Sequence, residues 1–271
     1  MQHIELSDQN VVPLTQVAEN VKGLRILFVN VYGITSPDGS WTLIDAGLPL
    51  STSRIRHWAQ THFSAPPKAI VLTHGHFDHV GAVKELAEEW DLAVYAHPLE
   101  APFLTGKQQY PPPDPTVGGG IMSVMSPTYP RGPIDISHRL ELLPGDDSVP
   151  TMPGWKVIHT PGHTVGHVSF FRESDRTLLV GDAFCTADQQ SFLKIAVQKP
   201  ELNGPPAYFT PDWDSARESV RKLATLQPAT LAPGHGLPMR GAEIPEKLEL
   251  LARDFDRIAR PKSQKSTEPA A

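Results

Sequence analysis

Short apolar, β-branched stretches recur along the chain and predict buried strands. Ala69–Thr73 is one such stretch, and Val80–Trp90 directly after its polar neighbours carries apolar residues at helical spacing. Three more strand-like stretches follow in the second half of the chain: Trp155–His159, Thr177–Val180 and Thr230–Ala232. These stretches predict a sheet-based fold.

Two amphipathic stretches near the C-terminus predict helices. Ser215–Leu226 has helical character, with Asp214 or Ser215 as its N-cap, and Pro245–Ile258 is predicted as a final exposed helix. We find no internal repeat in the sequence.

Polar side chains follow each predicted strand at the point where it ends. The four segments are His74–His79, Thr160–His163, Gly181–Asp182 and Pro233–His235. In a sheet-based fold such loops collect along one edge, which is where binding sites are commonly built. We therefore expect these four segments to meet.

The stretch His74-Gly75-His76-Phe77-Asp78-His79 is the most informative of the four, because it places three imidazoles and a carboxylate in one turn. Imidazole nitrogen and carboxylate oxygen are the ligands that suit zinc, and to a lesser degree iron or manganese. In a loop between strand and helix, His74 and His76 can face one metal while Asp78 and His79 face a second. Two metals are therefore plausible from this stretch.

Together with His163, Asp182, His235 and the segment Leu43-Ile44-Asp45-Ala46-Gly47, this stretch resembles the metallo-β-lactamase superfamily from about Asn30 to Gly236. The resemblance implies a four-layer αβ/βα sandwich with metals at one edge. It also implies the ligands, which are His74, His76 and His163 for the first metal, Asp78, His79 and His235 for the second, and Asp182 between both. Asp45 would support the ligands from behind.

Two further residues near these motifs have weaker patterns. His167 lies four residues after His163 and is predicted to support the ligands or to pack in the core. Cys185 follows Asp182 by three residues, and we expect it to be a small core residue rather than a catalytic group.

Length and composition indicate a single enzyme domain over residues 1–260, followed by a tail at 261–271 that we expect to be disordered. The 24 basic and 30 acidic side chains give a net charge of −6, which offers no footprint for nucleic acid. The single cysteine excludes internal disulfides. Neither a signal peptide nor a membrane-spanning stretch is visible, so we expect a cytoplasmic protein without membrane contact.

A Pro- and Gly-rich segment at about 98–153 is predicted to be an insertion over the site. It contains Tyr110–Pro115 and Gly118–Gly120, followed by Met122, Met125 and Tyr129. Loops of this length are often functional lids, and adaptable Met side chains favour an apolar substrate. Ala183–Trp213, with aromatic and apolar residues Phe184, Phe192, Leu193, Tyr208, Phe209 and Trp213, is either a second wall of the site or part of the core.

The predicted function is that of a dinuclear zinc hydrolase, with two Zn²⁺ per chain and with iron or manganese as substitutes for zinc. A hydroxide held between the metals would attack the carbonyl of a lactone, ester or thioester, with Asp78 as a candidate proton acceptor and Asp182 as the bridging group. The expected partner is a small acyl or lactone substrate. The predicted lid and the C-terminal helix are candidate surfaces for a homo-oligomer.

The resemblance leaves several activities open. Asp182 argues against the true β-lactamases, which usually lack an aspartate at this position, although low-level β-lactamase activity stays open. Glyoxalase II-like thioesterases and acyl-homoserine lactonases fit best at the ligands, but the lactonases usually place a Tyr where this chain has Ala183-Phe184-Cys185. The same ligands would also serve a phosphodiester or phosphotriester hydrolase, an iron-dependent enzyme resembling the persulfide dioxygenases, or a metal-stabilised binding module.

Overall fold

Two mixed β-sheets form the centre of the computed structural model, which describes residues 4–117, 120–187 and 200–264. The strands in chain order are β1 Ile4–Glu5, β2 Val21–Ile26, β3 Val29–Thr35, β4 Trp41–Ile44, β5 Ile70–Val71, β6 Val94–Ala96, β7 Leu140–Leu142, β8 Trp155–His159, β9 Val168–Arg172, β10 Thr177–Gly181, β11 Glu201–Leu202, β12 Thr230–Pro233 and β13 Met239–Arg240. β1 and β11 pair as a separate antiparallel ribbon.

The first sheet has six strands in the order β2-β3-β4-β5-β6-β7. β2, β3 and β4 are antiparallel, and β4 through β7 are parallel. The second sheet has five strands in the order β13-β12-β10-β9-β8. In it, β10 and β12 are parallel and the other pairs are antiparallel.

Helices cover the outer faces of both sheets. The α-helices among the described residues are α1 Thr52–His62, α2 Phe77–Val80, α3 Val83–Trp90, α4 Ala101–Leu104, α5 Gly120–Met125, α6 Trp213–Thr225, α7 Ile244–Arg253 and α8 Phe255–Ile258. Short 3₁₀ turns lie at Asp8–Asn10, Leu14–Gln16, Pro98–Glu100, Ser126–Thr128, Ala207–Phe209 and Lys262–Gln264.

Alternation of side chains along the central strands separates the layers. In β10, Leu179 faces the other sheet, whereas Leu178 and Val180 pack with Leu223 of α6 in the outer cluster. In β5, Val71 belongs to the core between the sheets, and Ile70 packs outward with residues of α1 and α3. Because both faces of each strand are buried, these strands read as continuous apolar runs. The four layers confirm the αβ/βα sandwich predicted from the sequence.

Most predicted elements are present with shifted ends. The helix predicted to begin at Ser215 begins at Trp213, because the Asp212 carboxylate accepts a hydrogen bond from the Ser215 N–H at 2.9 Å. The predicted final helix is divided at Asp254 into α7 and α8, and its apolar face is buried rather than exposed. The helix predicted from Val80 is preceded by α2, which includes Asp78 and His79.

The segment predicted as an insertion, about 98–153, is partly integral to the fold. Its strand Leu140–Leu142 pairs in parallel with β6 and forms the edge of the six-stranded sheet. Phe184, a candidate for a second wall, is fully buried in the cluster beneath α6 and α7. Residues 118–119, the Met122 side chain, Phe192, Leu193 and the tail at 265–271 lie outside the described residues. Lys262–Gln264 forms a 3₁₀ turn.

The Phe170 side chain is fully buried in the core between the sheets, so its replacement tests the contribution of that core to stability. We expect Phe170→Ala to lower the free energy of unfolding by about 3–5 kcal/mol, because it removes apolar contacts and leaves a cavity. Leu50→Ala is the control, since Leu50 is 98% exposed, and it should change stability by no more than about 0.5 kcal/mol. Chemical denaturation at one fixed metal concentration measures both. Equal losses in the two variants would contradict the layer assignment.

Candidate metal centre

The loops that follow β5, β8, β10 and β12 meet at one edge of the sandwich. All seven ligands implied by the sequence lie there and are buried: His74, His76, Asp78, His79, His163, Asp182 and His235. Their side-chain nitrogen and oxygen atoms form three overlapping groups in which every ligand atom lies within 4.8 Å of the others. The predicted ligand residues are thus brought together, although they span more than half of the chain.

His74, His76 and His163 form the first group. His76 Nδ1 and His163 Nε2 are 2.9 Å apart, so the two nitrogens converge on one point. Asp182 Oδ2 lies 3.4 Å from His163 Nε2 and 4.0 Å from His74 Nε2. This arrangement places one carboxylate oxygen beside three imidazoles.

Asp78, His79 and His235 form the second group. His235 Nε2 lies 3.4 Å from Asp78 Oδ2 and 3.2 Å from Asp182 Oδ2. The other oxygen of Asp182, Oδ1, is 3.5 Å from His79 Nε2. Asp182 therefore contacts members of both groups, which is the position that a bridging ligand needs.

Three polar atoms at the centre test whether a cation fits. His74 Nε2, His79 Nε2 and Asp182 Oδ1 are buried and have no hydrogen-bond partner among the described residues. A buried polar atom without a partner costs about 1–3 kcal/mol, so three in one place require a different kind of partner. All three point into a set of imidazoles and carboxylates, which is the donor set of zinc and related metals. A divalent metal fits this site.

Hydrogen bonds on the far side of the rings fix which nitrogen faces the centre. His79 Nδ1 lies 2.8 Å from Asp45 Oδ2, and the same carboxylate accepts bonds from the Thr73 N–H and hydroxyl, each at 2.8 Å. His235 Nδ1 donates to the Phe28 carbonyl at 2.9 Å. Partners of this kind set the tautomer of a ligating histidine. Asp45 thus takes the supporting position predicted for it.

His167 supports Asp182 rather than joining the ligands. Its Nε2 accepts a hydrogen bond from the Asp182 backbone N–H at 2.8 Å, and its Nδ1 lies 2.8 Å from Thr160 Oγ1. The ring is therefore neutral, with its proton on Nδ1. Burial lowers the pKa of His167 to about 3, which keeps it neutral at any physiological pH.

Burial also keeps the first group of histidines neutral. It lowers the pKa of His76 to about 4 and holds those of His74 and His163 well below the usual range. His79 differs, because the carboxylates of Asp182 and Asp45 outweigh the effect of burial and raise its pKa. A neutral imidazole has the free lone pair that a metal ligand must supply.

Glu100 is part of the site and was not predicted from the sequence, and it contacts Tyr110 of the predicted insertion. The Glu100 carboxylate is fully buried and accepts hydrogen bonds from the Gly75 N–H at 3.0 Å and from the Tyr110 hydroxyl. The Tyr110 ring meets the His76 ring edge to face, with centroids 4.5 Å apart. A single Glu among prolines and apolar residues gives no local signal of such contacts.

A small cavity of about 160 Å³ opens beside the first group, with His76 and His163 in its wall. The rest of its wall is mainly aromatic and apolar, with a few neutral polar groups and one acid: Phe103, Gln108, Tyr110, Pro111, Pro112, Asp114, Thr164, Val165, Tyr208, Phe209, Thr210, Pro211 and Gln264. Tyr110–Pro112 and Asp114 come from the Pro-rich segment, as expected for a substrate wall. Met125 is 46% exposed and is not in this wall.

Cys185 is buried, and its N–H donates to the Asn203 carbonyl at 3.2 Å. Burial, with the nearby carboxylates of Asp182 and Asp78, raises the pKa of the Cys185 thiol well above its usual value. A thiol in this state is a poor nucleophile. This environment agrees with the core role expected for Cys185.

Across residues 4–117, 120–187 and 200–264, no helix is both long enough and apolar enough to cross a membrane.

The ligand-bearing part of the chain matches a known sequence profile. The profile of the metallo-beta-lactamase superfamily matches residues 24–235. The probable metallo-hydrolase YflN of Bacillus subtilis (strain 168) is 47% identical over 90% of this chain and 94% of its own length. The probable metallo-hydrolase YybB of the same organism is 30% identical over 63% of this chain and 64% of its own.

Solved structures share the fold. The B3 metallo-beta-lactamase BLEG-1 is 25% identical and superposes with a TM-score of 0.57, covering 81% of this chain and 93% of its own. TTHA1623, solved in a di-iron-bound form, is 28% identical with a TM-score of 0.55, covering 86% of this chain and 96% of its own. The match of sequence profile, ligand geometry and fold shows that the chain belongs to the metallo-β-lactamase superfamily.

Proposed function

We propose that this protein is a dinuclear zinc hydrolase that cleaves a small, uncharged lactone or ester, with thioesters as a related substrate. The observation that carries the proposal is the Asp182 carboxylate, which contacts both groups: Oδ2 lies 3.4 Å from His163 Nε2 and 3.2 Å from His235 Nε2, and Oδ1 lies 3.5 Å from His79 Nε2. Metal-dependent hydrolysis agrees with the names of the relatives YflN and YybB, both probable metallo-hydrolases.

When bound, two divalent cations supply a hydroxide nucleophile at neutral pH and polarise the substrate carbonyl. The side chains of the site position the candidate ligands and supply a proton acceptor. Asp182 holds both groups at a fixed separation, and Asp45 and His167 hold His79 and Asp182 in turn. Asp78 Oδ2, 3.4 Å from His235 Nε2, is the proposed acceptor of the nucleophile's proton.

The cavity supports the choice of substrate. At about 160 Å³ it is smaller than the roughly 300–1,000 Å³ of typical ligand pockets, which favours a short acyl group. Its described wall contains no Lys or Arg and includes the acid Asp114, so it offers no counter-charge to a phosphodiester or to the carboxylates of a glutathione thioester. A neutral lactone or ester fits better than either.

Zinc is the proposed metal because the site consists of five histidines and two aspartates, Asp78 in the second group and Asp182 between the two groups. Iron is the second metal to compare, since the structural neighbour TTHA1623 was solved in a di-iron-bound form. We place the reaction in the cytoplasm, where the single Cys185 stays reduced.

A substrate panel tests the proposed reaction. Zinc-loaded and iron-loaded protein are each given short and long γ-lactones, a short aryl ester, a glutathione thioester, a penicillin and a phosphodiester, and proton release is followed. We expect the short lactone and ester to react fastest with zinc-loaded protein, because the cavity is small and carries no cationic side chain among its described residues. Oxygen uptake by the iron-loaded protein is recorded in parallel.

Asp182→Ala is the control for contaminating activity and should lower turnover by about 10³-fold or more, since Asp182 would be a ligand of both metals in the proposed centre. Turnover that persists in this variant would assign the activity to another protein. Preference for the phosphodiester, or oxygen uptake without hydrolysis, would refute the proposed substrate class.

Asp45→Asn tests whether Asp45 sets the His79 tautomer that leaves Nε2 free to bind a metal. The asparagine oxygen must stay opposite the Thr73 N–H, so the amide NH₂ faces His79 Nδ1. The ring then carries its proton on Nε2, the atom that faces Asp182, and cannot bind a metal there. We expect about 10–100-fold weaker binding of one of two metals, measured by titration of metal-free protein with Co²⁺.

Asp38→Asn is the matched control, because the Asp38 carboxylate also accepts a backbone N–H, from Ser40 at 3.0 Å, but lies on the surface away from the ligands. It should bind both metals as the parent does. Parental binding by Asp45→Asn would show that Asp45 does not set the His79 tautomer.

A further inference from the structure

Glu100 connects two loops that carry different ligands of the first metal group. Its Oε2 accepts hydrogen bonds from the Gly75 N–H at 3.0 Å and from the Tyr110 hydroxyl. Its Oε1 accepts from the Thr164 hydroxyl at 2.7 Å and the Gly166 N–H at 2.9 Å. One buried carboxylate thus satisfies four donors from three parts of the chain.

The bonded residues are immediate neighbours of ligands. Gly75 lies between His74 and His76, and Thr164 directly follows His163. These two loops are far apart in sequence, and His76 Nδ1 and His163 Nε2 must converge to within 2.9 Å of each other. Glu100 contacts the backbone or hydroxyl beside each ligand and never the ligand rings themselves.

Glycine at two of the contacts lets the carboxylate approach the backbone closely. A Cβ at Gly75 would lie 2.5 Å from the Tyr110 hydroxyl oxygen, and one at Gly166 would lie 2.8 Å from Glu100 Cγ. Both distances are shorter than any ordinary carbon contact, so each position needs glycine for this geometry. The local sequence on both loops is therefore adapted to Glu100.

Only the ionised carboxylate accepts all four bonds. A Gln would turn its NH₂ toward the Gly75 or Gly166 N–H, which cannot accept, and a protonated Glu would donate to one of the two hydroxyls instead of accepting from both. Burial raises the pKa of Glu100, whereas the four hydrogen bonds lower it. The hydrogen bonds of Glu100 therefore depend both on the negative charge of its carboxylate and on the positions of its two oxygens.

Tyr110 extends the connection to the cavity. Its ring stacks on Phe103 with centroids 4.0 Å apart and packs against His76, and both aromatic rings line the cavity. The residue that shapes the proposed acyl pocket thus shares a hydrogen-bond acceptor with the ligand loop.

We infer that Glu100 is a positioning residue that sets the spacing of His76 and His163 and so creates the first metal site. The inference rests on the metal centre of the proposed function, but not on the substrate. Glu100 holds the loop at Gly75 and the loop at Thr164–Gly166 at a fixed distance from each other, and Tyr110 is a secondary contact. The second group, Asp78, His79 and His235, has no contact with Glu100 in the described hydrogen bonds.

Titration of metal-free full-length protein with Co²⁺ tests this inference, with visible absorption reporting ligand geometry and mass spectrometry reporting stoichiometry. Glu100→Gln should bind one of two metals about 10–100-fold more weakly than the parent, with loss of one absorption component. Tyr110→Phe removes one of the four donors and keeps the ring, so it should weaken the same site by a smaller factor. This second variant keeps the test decisive if Glu100→Gln does not fold.

Leu248→Ala separates metal binding from general destabilisation. Leu248 is fully buried in the cluster between α7 and the second sheet, so its loss lowers stability without touching a ligand loop. It should bind both metals as the parent does. If Glu100→Gln and Tyr110→Phe also bind both metals with parental affinity, Glu100 is not a positioning residue. A parent protein that binds no metal would overturn the proposed function as well.

Discussion

The fold is organised around a group of buried lone pairs that the protein cannot satisfy by itself. Imidazole nitrogens and the Asp182 carboxylate point at one another, and His74 Nε2, His79 Nε2 and Asp182 Oδ1 have no hydrogen-bond partner in the described chain. Such a centre is stable only if a cation accepts the lone pairs. The surrounding residues must also hold the imidazole rings in place. The outward bonds of the ligands, such as His79 to Asp45 and His235 to the Phe28 carbonyl, meet the second condition.

The sandwich contributes rigidity and close approach. Because the central strands are buried on both faces, their C-terminal ends are fixed on two sides, and the ligand loops begin from fixed points. Close approach requires glycine at particular positions. A side chain at Gly234 would collide with Asp182 Oδ1, and Gly181 before Asp182 has a φ of +57°. His235 and Asp182 can therefore meet only because their neighbours lack side chains.

The meeting of the seven candidate ligand residues at one edge could be predicted from the sequence, because their signal is local. Each ligand follows an apolar strand within a few residues, and the His74–His79 stretch concentrates four metal-binding groups in one turn. Element ends were less predictable: Asp212 caps α6 through its own carboxylate, so the helix begins at Trp213, two residues before the expected Ser215. Glu100 could not be predicted, because it acts on the backbone N–H groups of Gly75 and Gly166, which any residue except proline also carries. Only the tertiary structure shows that these groups share one acceptor.

The two ligand groups differ in their access to the cavity. His76 and His163 of the first group line it, whereas Asp78, His79 and His235 of the second do not. In the proposed function, a substrate whose acyl group fills the cavity would bring its carbonyl toward the first group and its leaving atom toward the second. The same wall contains Tyr110, which shares the Glu100 carboxylate with Gly75. If Glu100 positions His76 and His163 as inferred, one buried charge would govern both their spacing and the shape of the proposed acyl pocket. A substitution that changes the size of this pocket would then also disturb metal binding.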